Sequence, residues 1–294
     1  MPFERPEKKP FCADYSRAAG EQLAGSAKRV DLWLLLEFRS RWEHEAAAVF
    51  TEPVQLRLKA IRSKFPKSRL ALVKQPERTQ GPLSMFWAFS REREPHLYRT
   101  EFGDYDELSF DLDKMESQTV QRFFGVCTHG THDLCCAQFG NKIYAEMRAL
   151  HENVWQVSHI GGCRFAPNVV CLPDGVIYGR LEAGDGTRVV DSYQQASLFL
   201  PNVRGRSCYS KPVQAAEHFL RTAKNLRRLD ELSLASVAEP RPGQWLVTFT
   251  LSETHKQFQV SLYQEAASAS TFKSCAATEL SPRETFRLAD VRGV

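Results

Sequence analysis

The chain lacks the long apolar run that a membrane-spanning helix needs. Its 294 residues are 43% hydrophobic, but no stretch approaches the roughly 20 consecutive apolar residues that cross a bilayer. The N-terminal segment is polar and rich in proline, without the apolar core of a secretory signal peptide. We therefore expect a cytoplasmic protein that does not enter a membrane.

Motifs for nucleotide binding and for hydrolysis are also missing. The sequence has neither the glycine pattern of a Rossmann or P-loop site nor the serine elbow of the α/β-hydrolases. No pair of carboxyl groups stands out as the acid and base of a glycosidase. The net charge of +4 is too small to indicate a nucleic-acid-binding face. We assign no catalytic residue and expect neither a hydrolase nor a nucleic-acid-binding protein.

The cysteines are clustered in one part of the chain. Four of its eight cysteines fall between positions 127 and 163. In a reducing cytosol such a group rarely forms a disulfide framework, and it indicates metal or redox chemistry instead. The Cys-x-x-Cys spacing of thiol oxidoreductases is absent, which makes a thiol redox enzyme using Cys135 or Cys136 the weakest interpretation.

Two ligand-rich segments follow neighbouring predicted strands. The first runs Cys127-Thr-His-Gly-Thr-His-Asp-Leu-Cys-Cys136, and the second is His159-Ile-Gly-Gly-Cys163. In a strand–helix–strand unit both segments reach one edge of the sheet, so Cys127, one of the adjacent cysteines, His159 and Cys163 can surround one centre. Thiolate and imidazole donors suit zinc, copper(I) or an iron–sulfur cluster.

The spacing of these donors bears on which centre they hold. A structural zinc site of the Cys₃His type has the same donor chemistry. Its first two ligands are usually separated by two to four residues, however, and here the interval is longer. The spacing therefore favours an iron–sulfur cluster, and a zinc-stabilised interaction protein without redox activity stays as the alternative.

The predicted secondary structure repeats one order of elements. Each group has a strand, a helix and then three further strands. The predicted helices run from Thr51 to Phe65 and over 136–150. The predicted strands span residues 30–38, 69–74, 85–90 and 96–101 in the first group, and 121–127, 154–158, 168–172 and 176–181 in the second.

Strand–helix–strand followed by a hairpin and a helix is the thioredoxin-like order. We predict an α/β protein with two tandem thioredoxin-like units, over residues 1–115 and 116–225, and a small β-rich C-terminal region over 226–294. The second unit carries the cluster, and the first has a scaffolding or docking role.

Four segments carry a resemblance to a known family. They are Cys127-Thr-His-Gly, Asp133-Leu-Cys-Cys136, His159-Ile-Gly-Gly-Cys-Arg-Phe-Ala-Pro-Asn168 and Leu172-Pro-Asp-Gly-Val-Ile-Tyr-Gly-Arg180. These segments resemble the sucrase/ferredoxin-like family, whose metal-binding half is a thioredoxin-like [2Fe-2S] ferredoxin. Further matches extend the similarity over about residues 10–225.

The resemblance implies a [2Fe-2S] cluster bound by Cys127, Cys136, His159 and Cys163. Similar eukaryotic members have a second histidine where this chain has Cys163. The thiolate adds negative charge and is expected to lower the reduction potential. The departure also leaves open whether Cys135, rather than Cys136, completes the set. The implied function is electron transfer to or from an unidentified redox partner protein.

Several other residues near the motifs have weaker predictions. His129 and His132 are expected to be hydrogen-bonding neighbours of the ligands or exposed loop residues. Asp133 is expected to cap the helix that follows. Arg164 is expected either to offset the negative charge of the cluster or to meet an acidic partner, with a plain surface role equally open. The sequence assigns no partner to the remaining cysteines outside the core, which are Cys12, Cys208 and Cys275.

Overall fold

The computed structural model describes residues 11–108, 110–267 and 270–294. These residues contain five α-helices and sixteen β-strands, which confirms the predicted mixed α/β class. Residues 1–10, at the start of the polar N-terminal segment, lie outside the described residues. None of the helices in the described part of the chain combines the length and apolar character that crossing a membrane requires.

The N-terminal half contains a short helix, one long helix and five strands. Val54, Leu58 and Ile61 form the buried face of that long helix, and Pro53 occupies its first turn, where a missing N–H costs nothing. The elements are α1 (Cys12–Ala18), β1 (Leu32–Glu37), α2 (Glu52–Lys64), β2 (Ser68–Lys74), β3 (Leu83–Phe89), β4 (His96–Phe102) and β5 (Gln118–Thr119).

The middle of the chain repeats the strand–helix–strand–strand–strand order. Its elements are β6 (Phe123–Cys127), α3 (Leu134–Arg148), β7 (Val154–Val157), β8 (Val169–Leu172), β9 (Val176–Tyr178), α4 (Asp185–Gln194), β10 (Val203–Arg206) and α5 (Lys211–Lys224). The short strand β10 was not predicted.

The C-terminal region is rich in β-structure, as expected. It consists of β11 (Leu232–Arg241), β12 (Gln244–Leu251), β13 (Gln257–Ala266), β14 (Thr271–Phe272), β15 (Leu280–Ser281) and β16 (Glu284–Gly293). Four of these strands form an antiparallel sheet in the order β11-β12-β13-β16, whose buried face packs on α5. The sequence did not predict β11, because it is exposed over most of its length and shows little apolar alternation.

Ten strands form one continuous sheet in the order β10-β9-β8-β6-β7-β2-β1-β3-β4-β5. β1 pairs parallel with β2, and β6 pairs parallel with β7. The two halves join where β2 runs antiparallel to β7, with Val73 opposite Val157. The division into two thioredoxin-like units is therefore not confirmed. The domain boundaries near residues 115 and 225 stay a prediction as well.

Ser158 extends this junction by one residue towards the predicted ligand His159. Its backbone N–H donates to the Leu72 carbonyl at 2.8 Å, and its hydroxyl oxygen accepts from the Leu72 N–H at 2.9 Å. The hydroxyl thus takes the place of a backbone acceptor in a fully buried position. The junction of the two halves and the position of His159 depend on the same residue.

We predict that Ser158→Ala lowers the free energy of unfolding by about 1–3 kcal/mol, because it leaves the buried Leu72 N–H without an acceptor. Urea-induced unfolding measures the change. Ser68→Ala, at a β2 serine whose buried hydroxyl has no hydrogen-bond partner among the described residues, is the control and should cost less than about 0.5 kcal/mol. Equal losses in the two variants would contradict the role given to Ser158.

Candidate metal centre

The candidate centre lies at the end of two parallel strands. Cys127 is the last residue of β6, and His159 follows shortly after the end of its neighbour β7. Parallel neighbours deliver the residues that follow them to the same sheet edge. The connection through Gly161 and Gly162 then returns Cys163 to that edge, as the sequence predicted.

Four of the predicted ligands face one another at this edge. The Cys136 thiol lies within hydrogen-bonding reach of the sulfurs of Cys127 and Cys163. The Cys163 Sγ lies 3.2 Å from the His159 Nδ1. All three cysteines are buried, and His159 is half-buried. The three cysteines are therefore neighbours, and His159 contacts one of them, Cys163, while the role of all four as ligands stays a prediction.

The first turn of α3 presents Cys136 to this place. The Asp133 carboxylate caps the helix, as predicted, by accepting from the Cys135 N–H at 3.0 Å. Cys135 and Cys136 are both in the first turn, where the positive end of the helix dipole favours thiolates. Cys135, the alternative ligand, faces away from Cys127 and contacts other cysteines.

Gly140 sets how closely α3 approaches β6. A Cβ atom at this position would lie 2.1 Å from the Cys127 carbonyl oxygen. Only a glycine lets the helix backbone come this near to the end of the strand. The distance between Cys127 and Cys136 depends on that approach, because one residue is on the strand and the other on the helix.

The Gly161–Gly162 turn is held from outside by two polar side chains. Both glycines have positive φ, at +100° and +78°, which other residues rarely adopt. Asn168 donates to the Gly162 carbonyl at 2.9 Å, and Arg204 on β10 donates to the Gly161 carbonyl at 2.9 Å. Arg204 also donates to the Asn168 side-chain oxygen at 2.8 Å. The turn that carries Cys163 is therefore fixed by a connected set of hydrogen bonds.

The electrostatic surroundings favour negative charge on the sulfurs. Hydrogen bonds from the Cys136 thiol and from the backbone N–H groups of His129 and Ile160, with the positive charge of Arg69, lower the pKa of Cys127. Hydrogen bonding with the Cys127 and Cys163 sulfurs, and then burial, raise the pKa of Cys136, because both favour the protonated thiol. The surroundings of Cys127 therefore favour its thiolate form.

Arg69 is contributed by β2, in the N-terminal half of the chain. Its guanidinium donates to the His159 carbonyl at 2.6 and 3.2 Å. Burial, and then the charge of Arg69, lower the pKa of His159 to about 2. The imidazole is thus neutral at ordinary pH, which is the form that binds metals.

Two further histidines flank His159 with different roles. The His129 Nδ1 accepts from the His159 backbone N–H at 3.1 Å, so its Nε2 carries the proton and donates to the Glu43 carbonyl at 2.9 Å. His129 therefore positions the backbone of His159. His132 stacks on the His159 ring at a centroid distance of 3.7 Å, and its ligand atom, with those of His159 and Cys163, falls within a 4.8 Å group. His132 is thus an alternative ligand.

The structure gives Arg164, Cys12 and Cys275 partners that the sequence did not assign. Arg164 forms an ion pair at 2.6 Å with the buried carboxylate of Glu21, so it is committed to the fold. Cys12 and Cys275, which had no predicted partner, both contact Cys135. Sequence reasoning missed these contacts because the residues are separated by more than a hundred positions, and residue type was the only signal.

A family model described as sucrase/ferredoxin-like matches residues 23–205. The match covers more than half of the chain and includes all the predicted ligands. The chain belongs to the sucrase/ferredoxin-like family. Comparisons with curated proteins and with solved structures find no match. Within this sucrase/ferredoxin-like chain, Cys12 and Cys275 lie outside the matched segment.

We predict that Gly140→Ala lowers the free energy of unfolding by about 1–3 kcal/mol, although alanine is the better helix former, because the added methyl group forces α3 away from Cys127. Chemical denaturation measures the loss. Gly293→Ala is the matched control, since a Cβ there has no neighbour within 4 Å, and should leave stability nearly unchanged. A stabilised Gly140→Ala variant would contradict the close approach.

Proposed function

We propose that this protein is an electron-transfer protein with one [2Fe-2S] cluster, held by Cys127, Cys136, His159 and Cys163. The observation that carries the proposal is the group of three buried, neighbouring cysteines at one sheet edge, one of which contacts a neutral imidazole. When bound, a [2Fe-2S] cluster accepts and releases one electron at a time. The family membership supports this class of centre.

The surroundings of the four side chains fit a negatively charged cluster. Two backbone N–H groups, from His129 and Ile160, point at the Cys127 sulfur, and hydrogen bonds of this kind tune the reduction potential of iron–sulfur clusters. The guanidinium groups of Arg69 and Arg204 lie close enough to act electrostatically on Cys163. These positive charges offset part of the negative charge of three thiolates.

A row of imidazoles supports a route for electrons between the centre and the surface. His132 lies between the half-buried His159 and the exposed His44, at ring-centroid distances of 3.7 and 4.4 Å. His44 belongs to the N-terminal half of the chain. We propose that a redox partner protein approaches here, at the exposed end of this row.

The sequence of the N-terminal half has no comparable set of Cys and His donors. This half therefore has a scaffolding role in the proposal. Besides Arg69, it contributes the Trp42 carbonyl, which accepts from the Thr131 hydroxyl at 2.8 Å, and the Glu43 carbonyl, which holds His129. In each half a helix connects the first two strands, and the sheet order is the same, β2-β1-β3-β4 and β7-β6-β8-β9. This agreement supports two thioredoxin-like units, of which the second is the ferredoxin unit.

We predict that protein purified without oxygen contains two irons and two sulfides per chain and has a visible spectrum that dithionite bleaches. Cys136→Ser should lose iron, sulfide and colour, because it removes the proposed ligand. Cys135→Ser is the matched control at the neighbouring position and should keep all three.

Zinc without sulfide or colour, bound by the same residues, would contradict the proposal and favour the alternative of a structural zinc in an interaction protein. If Cys135→Ser lost the cluster and Cys136→Ser kept it, Cys135 rather than Cys136 would be the ligand.

We predict that Cys163→His raises the reduction potential by roughly 100 mV or more, because a neutral imidazole replaces a negatively charged thiolate. A redox titration followed by the visible absorption measures the shift. Cys171→Ala, at a buried cysteine of β8 outside the centre, is the control and should leave the potential in place. An unchanged potential in a Cys163→His variant that retains its cluster would show that position 163 supplies no ligand.

A further inference from the structure

A second group of sulfur atoms lies beside the candidate centre. The Sγ atoms of Cys12 and Cys135 are 3.4 Å apart, those of Cys135 and Cys275 are 3.0 Å apart, and those of Cys12 and Cys275 are 3.6 Å apart. The Asp133 carboxylate oxygens lie 3.9 and 4.0 Å from the Cys12 Sγ. All four residues offer a ligand atom within a 4.8 Å group.

The distances between the sulfurs suit one small ion. A tetrahedral zinc with Zn–S bonds of about 2.3 Å places its sulfurs roughly 3.8 Å apart. The three observed distances reach this value with movements of less than about 1 Å, whereas a disulfide requires sulfurs about 2.05 Å apart. A single disulfide also uses only two sulfurs, whereas three lie around one point here.

The Asp133 carboxylate fixes the backbone of two of the cysteines. One oxygen accepts from the Cys135 N–H at 3.0 Å, and the other accepts from the Cys275 N–H at 3.0 Å. The side chain itself is buried. A single carboxylate thus fixes the position of the first turn of α3 relative to the segment between β14 and β15.

Cys135 lies at the middle of the group, in contact with both other sulfurs, and in each contact either sulfur can be the hydrogen-bond donor. It also belongs to the first turn of α3, where the positive end of the helix dipole favours a thiolate. A soft cation placed here would be bound by three sulfurs at once.

We propose that Cys12, Cys135 and Cys275 bind a zinc ion, with the Asp133 carboxylate as the fourth ligand. Zinc has no geometric preference beyond its usual tetrahedron, and it accepts mixed thiolate and carboxylate ligands. The proposal is independent of the [2Fe-2S] cluster, because it uses none of the four cluster ligands.

Such a zinc ion would connect three segments that are far apart in the sequence. Cys12 begins α1, Cys135 is in the first turn of α3, and Cys275 lies in the C-terminal region. Tyr15 of α1 already packs against Phe272 of β14, with ring centroids 5.0 Å apart. The ion would therefore fasten α1 and the segment between β14 and β15 to the helix that carries Cys136.

Metal analysis of the full chain tests the proposal. We expect one zinc per chain in the native protein, in Cys208→Ser and in Cys136→Ser. We expect zinc to be lost from Cys12→Ser and Cys275→Ser. Cys208 is the matched control because it lies outside both sulfur groups. Cys136→Ser separates the two proposals, since it removes a cluster ligand and leaves this site complete.

X-ray absorption at the zinc edge of the native protein gives a result that does not depend on how the variants fold. We expect three sulfur ligands at about 2.3 Å and one oxygen at about 2.0 Å. Native protein without zinc, zinc retained in both Cys12→Ser and Cys275→Ser, or a disulfide between Cys135 and Cys275 in non-reducing peptide mapping would each overturn the proposal.

Discussion

The first turn of α3 is the constraint on which both groups of sulfurs depend. Successive residues of an α-helix point in directions about 100° apart, so Cys135 and Cys136 cannot face the same centre. Cys136 turns towards Cys127 and Cys163, and Cys135 turns towards Cys12 and Cys275. The Asp133 cap fixes this turn. Gly140, about one helical turn after Cys136, fixes the distance between α3 and β6. A pair of adjacent cysteines that looks redundant in the sequence thus faces two separate groups of sulfurs in the structure.

The rest of the chain holds the two loops that meet at this turn. The N-terminal half supplies Arg69 to the His159 carbonyl, and β10 supplies Arg204 to the glycine turn before Cys163. Both contacts are hydrogen bonds from a positive group to a backbone carbonyl, so they fix the geometry of the loops and also favour thiolates nearby. This double role explains why a centre at one sheet edge needs residues from both halves of a ten-stranded sheet.

Local pattern predicted much of the fold and of the candidate site. Apolar runs with turn residues between them located most of the strands, and the two ligand segments were placed at one edge from the order of elements alone. Three features could not be predicted. The junction of β2 with β7 is an edge-to-edge pairing without a local sequence signal, β11 is too exposed to show alternation, and Cys12 and Cys275 meet Cys135 only through the folded chain. The ion pair of Arg164 with Glu21 could not be predicted either, because Glu21 is also distant in the sequence.

The central claim is that three cysteines and one histidine hold a paramagnetic cluster in the reduced protein. Pulsed electron paramagnetic resonance of the dithionite-reduced protein, prepared with and without ¹⁵N-labelled histidine, tests it most directly. The account predicts a [2Fe-2S] signal that is coupled strongly to one imidazole nitrogen, with the coupling changing on labelling and disappearing in His159→Cys. A diamagnetic reduced protein, or a cluster signal without a coupled histidine nitrogen, would contradict it.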